Sequence, residues 1–187
     1  MRLSVLSSGE FDFFVAALPR SGTMWASSVL SFGYESLCLH EPELIEGSLD
    51  HIERIKGAFD LSLGASSPTL SLEYPPEGRP VVIIERDPWD CWESLKRWTN
   101  IPTKEIFAKG VKIFSEMPRK DALVVQYQDL TKWETYCKMV KHCTGYNPAS
   151  SYAHFLHWQE KARMRITTMD TATNNIQPVK RSWEPLG

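Results

Sequence analysis

Three short stretches of this chain combine residue types that could hold an anion or move a proton. The first is LPRSGTMW, Leu18 to Trp25, which follows the apolar run FFVAAL and precedes a helix-patterned segment. At a strand-to-helix turn, the leading backbone N–H groups and the positive end of the helix dipole converge on one point and favour an anion there. Gly22 lets the backbone approach closely, Ser21 and Thr23 offer hydroxyl donors, and Arg20 brings a permanent positive charge. The second is RDPWDCWES, Arg86 to Ser94, directly after the apolar VVIIE. An arginine at a strand end suits a phosphate, because its fork of donors matches the oxygens. Asp87 and Asp90 are poor anion ligands and are expected to cap the helix that follows. The third is CLHEPE, Cys38 to Glu43, where His40 and Glu41 are both able to accept a proton from a hydroxyl. Along an extended strand neighbouring side chains point to opposite sides, so the two are not expected to share that role.

Other readings of these stretches are narrower. The ATP/GTP loop has the pattern G-x-x-x-x-G-K-[ST], its lysine on the phosphates and its hydroxyl on magnesium. Here Ala17 stands for the first glycine and Thr23 follows Gly22 with no lysine between, which disfavours an ordinary nucleotide kinase. An SGT alone would be a plain strand–turn–helix corner. His154 and His157 are three apart but lack a neighbouring Cys, Asp or Glu cluster, so no metal is expected. Helix packing accounts for Trp89, Trp92 and Trp98. Lys96, Arg97, Lys180 and Arg181 read as solvated surface or tail.

Elements positioned to present such loops can be read from the pattern of the chain. Phe13 to Leu18, Leu37 to His40, Val81 to Ile84 and Ala122 to Tyr127 read as strands, with a further short strand and a loop within Leu61 to Gly78. Helices are expected over Gly22–Phe32, Glu43–Lys56, Asp90–Trp98, Lys104–Ser115, Lys132–Thr144 and Ser151–Arg165, with an irregular tail to Gly187. In the second of these, Leu44, Ile45, Leu49, Ile52 and Ile55 make one apolar face. The alternation implies an α/β fold with a mostly parallel sheet. With 187 residues and no repeat or linker, one domain spanning 1–187 is expected. A net charge of −2 argues against a general nucleic-acid binder. No secretory pattern or membrane-length apolar stretch is present, and four scattered cysteines suit reduced thiols, so a cytoplasmic location is expected.

The two loops together resemble the signatures of the P-loop sulfotransferases. LPRSGTMW is similar to their 5′-phosphosulfate loop, commonly PKSGTTW or PRSGTT, and IIERDPWDCWESLKRW to their RDPxDxxxS segment, with Arg86, Asp87, Pro88, Asp90 and Ser94 in register. DALVVQYQDL, Asp121 to Leu130, resembles a later family segment and supports the fold only. The resemblance implies a three-layer P-loop nucleotide-kinase-like fold with about five strands. It also implies a cosubstrate, 3′-phosphoadenosine 5′-phosphosulfate (PAPS), that leaves as 3′-phosphoadenosine 5′-phosphate (PAP). Pro19, Arg20, Ser21, Gly22, Thr23 and Met24 would surround the sulfate and 5′-phosphate, Trp25 would stack on adenine, and Arg86 and Ser94 would take the 3′-phosphate. Met24 departs from the commoner threonine. Glu41 lies twenty-one positions after Arg20, the spacing of the catalytic glutamate in tyrosylprotein-type members, which makes it the preferred base over His40. Sulfuryl transfer needs alignment and charge stabilisation, and arginine with backbone donors suffices without magnesium. The acceptor implied is a hydroxyl or amine of a glycan, peptide or metabolite. The alternatives are a phosphoryl-transfer enzyme or a non-catalytic nucleotide-binding module on the same scaffold.

Overall fold

The computed structural model describes residues 6, 9–33, 36–44, 48–58, 61–71, 75–99 and 102–160. Strands β1 (Phe13–Ala17), β2 (Ser36–His40), β3 (Ser62–Ser67), β4 (Val81–Glu85) and β5 (Leu123–Gln126) form one sheet in the order β2-β3-β1-β4-β5. Every pairing is parallel. Helices α1 (Thr23–Leu30), α2 (Ser48–Ala58), α3 (Pro88–Lys96), α4 (Lys104–Glu116) and α5 (Trp133–Thr144) flank it, followed by helical residues 152–160. The three-layer α/β fold expected from the sequence is the one observed.

Strand β1 is buried at every position because it sits mid-sheet with both faces covered. Its side chains alternate between two cores. Phe13, Val15 and Ala17 meet Trp25 and Val29 of α1 and Tyr136, Met139 and Val140 of α5. Phe14, Ala16 and Leu18 meet Ile52 of α2, Cys91 and Leu95 of α3, and Phe107 and Phe114 of α4. A parallel strand covered on both faces requires such a continuous apolar run.

Strand β3 is inside for a different reason. Its sequence SLGASS is nearly polar, yet Leu63 to Ser67 are buried between β1 and β2. Gly64 lies against the Phe13 ring, so close that a Cβ there would stand 2.0 Å from Phe13 Cε2. The two buried serines bond through their hydroxyls, Ser66 to the Thr23 carbonyl and Ser67 to the Glu43 carboxylate, as buried polar groups must.

Connectivity creates the crevice. The chain leaves β1 toward β3 and β2 on one side, then crosses back past β1 to β4 and continues to β5 on the other. Outgoing connections from the neighbours β1 and β4 therefore diverge, and ligands of open α/β sheets bind at such a point, beyond the carboxyl ends of the strands. Ala17 pairs with Ile84, so the loops after β1 and β4 leave the sheet side by side.

Some boundaries differ from expectation. The helix expected from Glu43 begins at Ser48, and Pro42–Leu44 forms a 3₁₀ turn in which the Leu44 N–H bonds the Glu41 carbonyl. The helix expected from Asp90 starts at Pro88, a residue suited to the first helical position, behind an Asp87 cap. Tyr127 opens a 3₁₀ turn after β5 instead of ending the strand. Ile45, the extension of the last helix to Arg165 and the tail with Lys180 and Arg181 lie outside the described residues.

Candidate functional site

The loop after β1 is shaped by its backbone. Gly22 stands at the N-cap of α1 with φ 86, and the helix has neither a side-chain cap bond nor an acidic residue in its first turn. A side chain is excluded here twice over. The left-handed backbone disfavours it, and a Cβ would lie 2.6 Å from Leu130 Cδ1. Arg20 is also left-handed, at φ 68. An L-residue held in that region costs roughly 1–2 kcal/mol, strain that persists where the surroundings over-determine it.

Those surroundings are the second loop. Arg86 Nη1 donates to the Arg20 carbonyl, and Arg20 Nε donates to Ser94 Oγ at 3.2 Å. The Arg20 guanidinium lies 4.4 Å from the centre of the Trp98 ring, and that of Arg86 lies 4.2 Å over the Tyr127 ring. Stacking uses the face of a guanidinium and leaves its in-plane N–H donors directed elsewhere. Asp87 caps α3 as expected, accepting from the N–H groups of Trp89 and Asp90. Glu85, beside Arg86, is committed to Arg119 and Gln126. The Arg119 hydrogen bond holds its carboxyl below the usual carboxylate range.

A second cluster forms at the carboxyl ends of β2 and β3. His40 Nδ1 faces the Ser66 carbonyl at 3.3 Å, and His40 Nε2 lies 3.9 Å from Glu41 Oε2. A carbonyl can only accept, so this contact assigns a proton to Nδ1, and in the neutral imidazole the lone pair is then on Nε2. The expectation that strand alternation keeps these side chains apart fails here. Alternation stops at His40, because Glu41 turns left-handed at φ 47 and swings its carboxylate back beside the imidazole. Ser66 joins the clusters: its carbonyl accepts the Glu41 N–H at 2.9 Å, and its hydroxyl donates to the Thr23 carbonyl at 2.8 Å.

The structure thus brings Arg20, Arg86 and Ser94 together and ties Glu41 and His40 to the same loop through Ser66. It places other candidates differently. Ser21 is fully buried with its hydroxyl 3.1 Å from Cys91 Sγ, which turns it away from an anion and toward the core. Burial pushes the Cys91 thiol up, so its partner is a neutral thiol. Thr23 is buried and contributes main chain at the helix start; Pro19 is half-buried in the turn, and Met24 is exposed on the first turn of α1. Trp25 is a core residue at 3% exposure, its Nε1–H bonded to the Leu130 carbonyl and its ring 5.0 Å from that of Trp158. A ring enclosed in this way has no open face for adenine, contrary to the stacking role expected of it.

Tyr127, Leu130, Trp98 and Ser66 support the site and were not singled out as site residues from sequence. Tyr127 and Leu130 lie in the segment whose sequence supports the fold, and the sequence of Trp98's segment points to helix packing. Only the tertiary structure, which brings the segments after β5 and α3 and the end of β3 to the carboxyl end of the sheet, reveals their role. His154 packs on the Phe32 ring at 5.1 Å. Among the described residues no cluster of three His, Cys, Asp or Glu side chains could hold a metal ion, and no helix is long and apolar enough to cross a membrane.

The sequence matches no family model and no curated protein. Among solved structures, mouse sulfotransferase SULT7A1 complexed with PAP is similar, with 20% identity and a TM-score of 0.48. The likeness covers 89% of this chain and 68% of that one. At this level of likeness the chemistry of the chain has to be read from its own residues.

Proposed function

We propose that the protein is a PAPS-dependent sulfotransferase acting on a hydroxyl or amine of a glycan, peptide or metabolite. One observation carries this reading. Two arginine-bearing loops meet at the divergence of β1 and β4, Arg86 bonded to the Arg20 carbonyl and Arg20 to Ser94. A ligand with anionic groups at two ends fits such a pair better than a single phosphate does.

The residues present suit PAPS. The Gly22 position has no room for a Cβ, the helix start above it lacks an acidic cap, and two permanently charged guanidiniums flank it. Arg20 with the main chain of Gly22, Thr23 and Met24 would hold the sulfate and 5′-phosphate, and Arg86 with Ser94 the 3′-phosphate. When bound, the cosubstrate supplies an activated sulfuryl group on a nucleotide leaving group. Arg20 steadies the charge that gathers between them. Glu41 and His40 receive the acceptor's proton as a pair: the lone pair on His40 Nε2 can take it, and the Glu41 carboxylate beside it stabilises the imidazolium that results.

Thermal shift separates this reading from its rivals. PAP at about a hundred times its Kd should stabilise the protein by roughly 2.7 kcal/mol, ahead of ATP with magnesium and of adenosine 5′-phosphosulfate. A preference for ATP with magnesium would overturn it in favour of phosphoryl transfer. Arg86→Ala should erase the preference for PAP over adenosine 5′-phosphosulfate; if the preference survives, the second loop has another role. Glu41→Gln should keep PAP binding while slowing sulfuryl transfer from PAPS to a hydroxyl acceptor, followed as PAP formed, by about 10²-fold or more. PAP binding with no PAP formed from PAPS by the wild type against a panel of hydroxyl and amine acceptors would leave a nucleotide-binding module.

A further inference from the structure

We propose that Glu43, bonded to Ser67, is a positioning residue that holds the His40–Glu41 pair against the carboxyl end of β3. The clamp rests on geometry, and its consequence for transfer rests on the sulfotransferase reading. Glu43 is 5% exposed. One of its oxygens, Oε1, accepts the Ser67 hydroxyl, while Oε2 is buried without a hydrogen-bond partner. A buried carboxylate satisfied on one side only is unfavourable compared with an apolar side chain of similar volume. What an apolar side chain could not do is bond Ser67.

That bond falls where it is needed. The Glu41 main chain is left-handed and must be held at both ends to stay so. Its N–H bonds the Ser66 carbonyl at 2.9 Å, and its carbonyl accepts the Leu44 N–H at 3.0 Å, closing the 3₁₀ turn over Pro42–Leu44. Glu43 sits inside that turn and reaches the very next residue of β3, Ser67, whose Oγ also accepts the Thr69 N–H at 3.1 Å. Two consecutive serines of one strand therefore fasten the turn, Ser66 by main chain ahead of it and Ser67 by side chain from within. Without the second attachment the turn could pivot about the Ser66 bond, carrying the Glu41 carboxylate away from His40 Nε2.

Amide hydrogen exchange on the full chain tests this without any acceptor. In Glu43→Ala and in Ser67→Ala, the Glu41 and Leu44 amides should exchange about tenfold faster or more, while β1 and β4 amides stay near their wild-type rates. Glu43→Gln should keep the protection, because its amide oxygen can still accept from Ser67. In the alanine variants PAP should stabilise as in the wild type, and PAP formation from PAPS with a hydroxyl acceptor should lose kcat with KM for PAPS unchanged. Unchanged Glu41 exchange in Ser67→Ala overturns the clamp, and this variant decides the matter if Glu43→Ala fails to fold. Equal loss of protection in Glu43→Gln and Glu43→Ala also overturns it. Absence of any PAP shift in the wild type would instead sink the sulfotransferase reading, and the exchange rates would still judge the clamp.

Discussion

Arg20 and Glu41 are the non-glycine residues at positive φ among those described, at 68° and 47°. One carries the charge proposed to face the sulfuryl group, the other half of the proposed base. Both are held by neighbours that bond their main chain, Arg86 for Arg20 and Ser66 with Leu44 for Glu41. Strain of this kind accumulates where geometry matters more than local stability. Gly22 shows the same demand met without strain. Gly22→Ala should lower the Tm and abolish the PAP shift, since the new methyl meets Leu130 in a left-handed backbone. The same change at Gly57, helical and with nothing within 4 Å, should stabilise by about 0.5–1 kcal/mol and leave PAP binding alone. Thermal melts of both variants with and without PAP check the contrast. The residue types of the first loop were legible in sequence, but their directions were not: Ser21 and Trp25 turn inward because β1 and α1 bury that side of the loop against Cys91, Leu130 and Trp158.

Among the elements, β4 and β5 show how the sheet edge is kept in order behind Arg86. Glu85 and Gln126 are paired in register, and Arg119 from the loop after α4 closes over the Glu85 carboxylate. Because the folded state lowers the Glu85 pKa, its contribution to stability is fully present above the unfolded carboxylate range and is lost as pH falls through the folded value. Arg119→Ala should therefore destabilise at pH 7 and converge with the wild type as pH falls below the lowered folded value of Glu85. Both side chains are about a third exposed, so the neutral-pH difference should stay below about 1 kcal/mol. Denaturant melts across that pH range supply the test. β1 and β4 could be read from sequence because a strand covered on both faces is apolar throughout. β3 was harder to read, since its place depends on Gly64 making room for Phe13 and on serines bonding α1 and the turn after β2. Such partners lie far away along the chain, and no window of local sequence contains them.

For the whole molecule, a net charge of −2 would not by itself draw in a polyanionic nucleotide. Attraction has to come from the local field of Arg20 and Arg86 at the β1/β4 divergence. A field of that kind is screened by salt, and PAP affinity measured by calorimetry should fall several-fold between about 0.05 and 0.5 M NaCl. An affinity indifferent to salt would mean that the nucleotide is held mainly by apolar contacts. Sequence alone determined the alternation of apolar runs and helical segments, the two anion-suited loops and the candidate proton acceptors, because these are properties of residues near one another in the chain. Only the tertiary structure decided that the two loops meet, that Glu41 curls back to His40, and that Ser66 ties this pair to the first loop. The reason is that strand order and a left-handed turn are settled by contacts between segments tens of residues apart, which local pattern does not encode.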